Sequence, residues 1–370
     1  MIEKVTNKTN FEAIEVLRFP LMILVVFVHV IPVNLYSMQP YWRTNSAYVL
    51  VSELISRHLG QIAVPCFFLF SGYFFFLKIY TFDVQIYAAQ IVKRLRTLLI
   101  PYLLLNIIFV LIVLLKNFVF GKLGMAQDEL YFSIQRASFY EIFWGGPFLF
   151  PLWYLRDLIC MMVLSPVFYF FLKYGKGLTL SLIIVGYLTT WELNITGLSS
   201  TAFLFFGTGA FMGIFKYDLT MLGARYKGCK FLISALFLGM VSYFTATPYY
   251  EYLIRFFIIS GVISALCIGN MLLKTKKVKF YLSALSSSVF FIYAIHEMYI
   301  INWLKGGFAK LPMANNEWGK FIAYFTIPIV CLIVCLCLYR LMRRFLPNLL
   351  AILIGGRMIV KSVKINLHGV

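Results

Sequence analysis

Residues 98–115 read LLIPYLLLNIIFVLIVLL, eighteen positions with one proline, one asparagine and no charge. A helix of that length is about 27 Å long, close to the roughly 30 Å hydrocarbon thickness of a bilayer. Apolar side chains cover it on every side. Neither the single stripe of a surface helix nor the two-residue alternation of a membrane barrel fits such a run. Working outward from it, runs of the same kind are predicted at 19–37, 61–77, 152–172, 178–192, 201–215, 231–247, 253–273, 282–303 and 321–339. The whole 370-residue chain is 62% hydrophobic, 18% aromatic and 13% charged. A soluble domain carries about 45–50% apolar and about 25% charged residues, so that class is excluded. The expected fold is an all-α polytopic bundle of about ten transmembrane helices.

The net charge of +19 invites a nucleic-acid reading, but here the cations punctuate apolar runs instead of forming one water-facing patch. Segments 1–18, 78–97, 173–177, 216–230, 274–281 and 340–370 hold 23 of the 33 Lys and Arg, and the alternate connecting segments hold 8. By the positive-inside rule both termini are expected in the cytoplasm. The organisation predicted is a cytoplasmic segment at 1–18, a membrane domain at 19–339 and a basic cytoplasmic tail at 340–370. The tail's apolar patch at 349–354, followed by Arg357, Lys361 and Lys364, is expected on the inner leaflet. Segment 116–151, rich in aromatics, is expected outside as an interfacial helix or lid over an external cavity. No signal-peptide cleavage pattern follows the first run. The seven cysteines show no zinc spacing and no pair in an external loop, so neither disulfide nor metal is expected.

A polar group inside a bilayer costs several kcal/mol unless it is paired, which makes intramembrane ionisable residues the candidates for function. They are His29, Arg156, Asp157, Arg255, His296 and Glu297. His29 lies eleven residues beyond Arg18, about 16 Å and close to three helical turns, so both are expected on one face of the first span. A phosphate-bearing donor docked at Arg18 would then present its reactive end at His29. The residues alone leave open that Arg18 is a topological anchor and His29 a helix-bridging imidazole.

Several segments carry a resemblance. These are Asn10-Phe11-Glu12-Ala13-Ile14-Glu15-Val16-Leu17-Arg18 running on to His29, Val64-Pro65-Cys66-Phe67-Phe68-Leu69-Phe70-Ser71-Gly72-Tyr73, Leu152-Trp153-Tyr154-Leu155-Arg156-Asp157-Leu158, and Ile292-Tyr293-Ala294-Ile295-His296. A basic loop, Lys93-Arg94-Leu95-Arg96 followed by Pro101-Tyr102, completes the set. In that order they resemble the acyltransferase 3 family of integral membrane O-acyltransferases, in the stand-alone form without a hydrolase-like carboxyl-terminal domain. Phe19-Pro20 departs from the small, glycine-containing pair usual there. Proline in a first helical turn is tolerated, so the Arg18 to His29 spacing is expected to survive.

The resemblance implies transfer of an acyl group, most often acetyl, from cytoplasmic acyl-coenzyme A to a hydroxyl of a cell-envelope carbohydrate or lipid-linked glycan, in a bacterial cytoplasmic membrane. The chemistry of the residues agrees. Oxygen acylation needs a base working near neutral pH, and His29 is that candidate. Arginine grips phosphate bidentately and lysine as a point charge, which nominates Arg18, Lys93, Arg94 and Arg96 for the donor. Ser71, Tyr73, Trp153, Arg156, Tyr293, His296 and Glu297 are the candidate site wall. For Ser71 a packing role competes, for Arg156 a structural ion pair, and for His296 either packing or service as the base. An exporter of polysaccharide or small molecules is the alternative function, against which stands the lack of two related halves.

Overall fold

The computed structural model describes residues 2–30, 46–77, 79, 83–125, 129–190, 192–219 and 228–356. Among the described residues all regular structure is helical. Five helices are long and apolar enough to cross a membrane, Ala47–Phe76, Tyr87–Lys122, Ser165–Leu188, Tyr250–Leu272 and Glu317–Phe345. Lys276–Ser286 with Val289–Ala309 forms a sixth candidate, bent by 49°. Such a set makes this an integral membrane protein.

Helix α1 (Ile2–Val28) starts well before the apolar run, so Pro20 sits deep inside it and not in a first turn as the sequence suggested. The ladder loses the bond from residue 20 and carries on. The helix stops earlier than the expected span end at residue 37. After Val28 come two short-range turn bonds, His29 N to Val26 O and Val30 N to Phe27 O, both 3.2 Å. Ile31-Pro32 follows in sequence, and proline offers no N–H to continue the ladder. His29 therefore lies just past the helix end rather than within it. Residues 31–37 of the expected span lie outside the described residues.

Helix α2 (Ala47–Phe76) starts well before the expected span 61–77 and takes in residues 47–60, which were expected between spans. It begins at Ser46, whose Oγ accepts from Val49 N at 3.2 Å, and passes through a wide π-type turn at Glu53–His58 and a tight one at Leu59–Ile62. Arg57 and Glu53, four residues apart, neutralise each other at 3.1 Å, which lets a charged stretch run on as helix. Helix α3 (Val84–Lys122) likewise takes in the basic stretch expected to be a loop, beginning where Asp83 Oδ1 accepts from Gln85 N.

Between α3 and the next long element lie α4 (Glu129–Arg136) and a π-type turn at Glu141–Gly145. This segment does not merely cover the outside. Tyr102 and Asn106, from the middle of α3, donate to the carbonyls of Phe143 and Ile142, and Arg156 donates to those of Trp144 and Gly145. Irregular backbone at such depth is tolerable only where protein donors satisfy it.

The predicted span 152–172 is broken into α5 (Leu152–Val163) and α6 (Ser165–Leu188). Pro166 has no N–H for Met162 O, and Ser165 Oγ donates to that carbonyl instead. Within α6, Lys176 sits at φ 46° between two glycines and splits the helix where a connection was expected. Helix α7 (Ser200–Ile214) packs on α2 at backbone distance. A Cβ on Gly209 would stand 2.1 Å from Leu69 O, and one on Gly72 2.2 Å from Phe206 O.

The remaining elements are α8 (Cys229–Tyr243), α9 (Tyr250–Leu272), α10 (Lys276–Ser286), α11 (Val289–Ile295), α12 (Ile301–Ala309), α13 (Glu317–Phe345) and α14 (Pro347–Leu353). The apolar patch of the tail does not simply lie on lipid. Leu350 and Ile354 are buried beside Phe291 and Tyr339, Leu353 joins the main core, and Leu349 and Ile352 are exposed. Arg357, Lys361 and Lys364 lie outside the described residues.

Candidate functional site

Between α11 and α12 the helix is broken without help from proline or glycine. Met298 takes ψ 68° and Tyr299 φ 64°, and the five residues His296–Ile300 form a π-type turn. Such turns widen the helix and re-aim side chains, often at functional sites. Here the turn brings His296 and Glu297 to the end of α1. Glu297 Oε1 lies 3.1 Å from His29 Nδ1, with both side chains mostly buried at 22% and 13% exposed. The His29 and His296 rings meet edge to face at 5.0 Å.

The hydrogen-bond pattern assigns the tautomers. His29 Nδ1 faces a carboxylate oxygen, so it carries the proton, and Nε2 keeps its lone pair. His296 Nδ1 donates to the carbonyls of Ile292 and Tyr293 at 3.0 and 2.9 Å. Its Nε2 is buried without a partner, as is Glu297 Oε2. His296 is fully enclosed and His29 is not, so a substrate hydroxyl reaches His29 first. Lys305 of α12 donates from Nζ to the carbonyl of His29 and lies within the field of Glu297.

On one side the site is closed by the inward segment before α5. Phe150 is 61% exposed and presents its ring edge-on to His29 at 6.0 Å. The next residue, Pro151, accepts a hydrogen bond from Tyr293 OH. Tyr293 in turn meets Tyr154 at 5.8 Å, and Tyr154 packs on Phe68 at 4.7 Å. Tyr154, Glu15 and Arg94 are the ionisable neighbours of Arg18. A row of aromatics thus leads from Arg18 to His29. Among the described residues Arg18 has no hydrogen bond or ion pair, an unusual state for a guanidinium half-enclosed by protein.

The structure sorts the other sequence candidates. Arg94 joins Arg18, whereas Lys93 and Arg96 stand exposed on other faces of α3. Ser71 Oγ donates to Phe67 O one turn back within α2, and Tyr73 OH accepts from Asn10 Nδ2 at 2.9 Å, which ties α2 to α1. Arg156 spends its guanidinium on Asp157 and on the inward segment. Trp153 is partly buried at the start of α5, packed against the core. Arg255 is likewise satisfied, by Glu192 at 3.0 Å and Tyr187 O at 2.6 Å. Among the described residues no three His, Cys, Asp or Glu side chains are arranged to hold a metal ion.

Two features were missed in the sequence. Lys305 is one of the 8 Lys and Arg counted in the alternate connecting segments, just after the expected span 282–303, and Glu297 was placed on the wall beside His296 without being recognised as the partner of His29. The signal for Glu297 was its position, a carboxylate beside His296 and nine residues past Ser288 in an otherwise apolar run.

Residues 11–340 match the family model described as an acyltransferase domain. The chain belongs to the acyltransferase 3 family. This membrane protein is accordingly an acyltransferase, and the exporter reading gives way. Among curated proteins it is similar to the succinoglycan biosynthesis protein ExoH of Rhizobium meliloti (strain 1021), 25% identical over 359 residues, covering 93% of this chain and 92% of that one. No solved structure matches it.

Proposed function

We propose that this acyltransferase carries an acyl group from cytoplasmic acyl-coenzyme A to a hydroxyl of a cell-envelope polysaccharide or its lipid-linked precursor, at a site formed by His29 and Glu297. The observation that carries the reading is the His29–Glu297 pair at 3.1 Å, about three helical turns from the Arg18 guanidinium, which among the described residues has no hydrogen bond or ion pair. ExoH is named for the biosynthesis of a polysaccharide, which supports the acceptor class.

In this reading Arg18 and Arg94 hold the donor's phosphates, since arginine matches phosphate oxygens bidentately. Eleven residues of rise, about 16 Å, separate Arg18 from His29, a distance an extended pantetheine arm spans along the row from Tyr154 to Tyr293 and Phe150. The acceptor hydroxyl oxygen attacks the thioester carbonyl carbon while His29 Nε2 takes its proton. The carbon–sulfur bond then breaks, and the imidazolium returns the proton to the departing thiolate, leaving an ester and free coenzyme A. Glu297 holds the productive tautomer and offsets the charge that appears on the ring in the transition state. The buried His296 packs edge-on against His29 and limits its swing.

The proposed topology has ten spans with both termini in the cytoplasm, in a bacterial inner membrane. It is supported by the partition of Lys and Arg and by the two shorter apolar helices, α7 and α8, of 15 residues each. Donor entry is then cytoplasmic and acceptor entry external. The test is label transfer from acetyl- or succinyl-coenzyme A into envelope polysaccharide by wild type and His29→Ala at matched protein levels. Transfer at the wild-type rate by the variant refutes the assignment of the base.

A further inference from the structure

His29 has to hold a contact to a different element although it stands beyond the last helical residue of α1, where only two short-range turn bonds carry the main chain on. The last carbonyls of any helix lack N–H partners within the helix and take side-chain donors when buried. At the end of α1 two carbonyls take side-chain donors, each from a different element. Phe27 O accepts from Ser56 Oγ at 2.7 Å, in the wide turn of α2. His29 O accepts from Lys305 Nζ, in α12. Ser56 has one proton to give and gives it to Phe27 O. The 2.7 Å contact between Ser56 Oγ and Tyr324 OH is therefore donated by the tyrosine. Tyr324, on α13, is 1% exposed, and its ring packs on Phe27 at 5.3 Å. Gly60 completes the seat, since a Cβ there would lie 2.3 Å from Val28 Cγ2.

We propose that Ser56, Tyr324 and Lys305 are positioning residues for acyl transfer: they clamp the last turn of α1 from different elements and so keep the His29 imidazole on Glu297. The clamp serves no step of the chemistry directly. It matters because a reacting group displaced by about 1 Å loses on the order of a hundredfold in rate, and a main-chain rotation at residue 29 is magnified at the far ring nitrogen. The proposal rests on the reading of His29 as the base. The two are separable by experiment.

The experiment uses the full-length protein in inverted membrane vesicles, with labelled acetyl- and succinyl-coenzyme A as donors and the host's envelope polysaccharide as acceptor. Ser56→Ala and Lys305→Met are each expected to lower the maximal rate about 10- to 100-fold with the donor KM within twofold of wild type. Lys305→Arg, which keeps a donor and the charge, recovers most of the rate. Tyr324→Phe keeps the ring and loses only the hydroxyl, so it costs a few-fold. Because Tyr324 acts through Ser56, the double variant Ser56→Ala/Tyr324→Phe is no slower than Ser56→Ala. A residue that served only folding would lower the yield of folded protein and leave the rate per folded molecule unchanged. The clamp is overturned if His29→Ala is inactive while Ser56→Ala and Lys305→Met both run within threefold of wild type, if Lys305→Arg is no better than Lys305→Met, or if the Ser56 and Tyr324 effects multiply. An active His29→Ala instead overturns the reading on which the clamp rests.

Discussion

Replacing Glu297 with glutamine tests the centre of the site with the smallest change of shape. The carboxylate oxygen accepts a hydrogen bond from His29 Nδ1–H at 3.1 Å, which leaves Nε2 as the free lone pair. The glutamine amide is nearly isosteric but can turn its NH2 toward Nδ1. That would make Nδ1 the acceptor and put the imidazole proton on Nε2, where no base is left. In a serine-protease triad the same carboxylate-to-amide change costs about 10⁴ in kcat. Here the pair retains some exposure, so a loss of about 10² to 10⁴ is expected, with the donor KM nearly unchanged because the phosphate end lies about 16 Å away. Aspartate is the second arm. Shortening the side chain by one methylene withdraws the oxygen by about 1.5 Å, beyond hydrogen-bond reach, so Glu297→Asp falls in the same range. Glu297→Gln should fold about as well as wild type, since a mostly buried carboxylate is exchanged for a neutral group of the same shape, whereas Glu297→Asp keeps the charge without its partner and should fold less well. Coenzyme A release and label transfer are measured together at saturating donor, with the folded amount checked by size-exclusion chromatography. A glutamine variant within tenfold of wild type refutes the idea that Glu297 sets the tautomer of His29.

Arg18→Ala and Arg94→Ala should each weaken coenzyme A binding about tenfold or more in nanodiscs, and Lys93→Ala and Arg96→Ala by less than threefold; equal effects from all four would mean a diffuse basic surface instead of a docking pair. Arg156→Leu should cost about 3 kcal/mol of stability, because Asp157, 2% exposed, loses its charge partner and the inward turn loses two donors. An unchanged melting temperature in detergent would contradict that role. Gly209→Ala should destabilise by about 2 kcal/mol or more through collision with Leu69 O, read in the same melting assay. Sealed vesicles of either orientation separate the sidedness: acyl-coenzyme A added outside should label glycan only in inverted ones, and labelling by right-side-out vesicles alone would reverse the topology.

Composition makes the membrane class legible, because a chain that is 62% hydrophobic cannot hide its apolar runs in a soluble core. His29 stands out in the sequence as a polar group where polarity is costly, and Arg18 as the cation eleven residues before it. What the sequence concealed depends on partners. Residues 47–60 look too charged for helix until Glu53 and Arg57 are seen to cancel each other. The run 282–303 looks continuous because its break at Met298 and Tyr299 carries no proline or glycine and is imposed by packing around it. The site depends on that break, so Glu297 could be seen as a mid-span acid but not as the partner of a residue 268 positions away. Ser56 and Tyr324 were invisible for the same reason, one between expected spans and the other in an apolar run.

Helices that touch through side chains can accommodate a guest by changing rotamers, but α2 and α7 meet main chain to main chain at Gly72, Gly209 and Gly213, where there are no rotamers to change. The pair must translate or tilt as one rigid girder. Any change of spacing between helices is therefore easier elsewhere, as at α11 and α12, which already meet at a break of two residues with non-helical torsions.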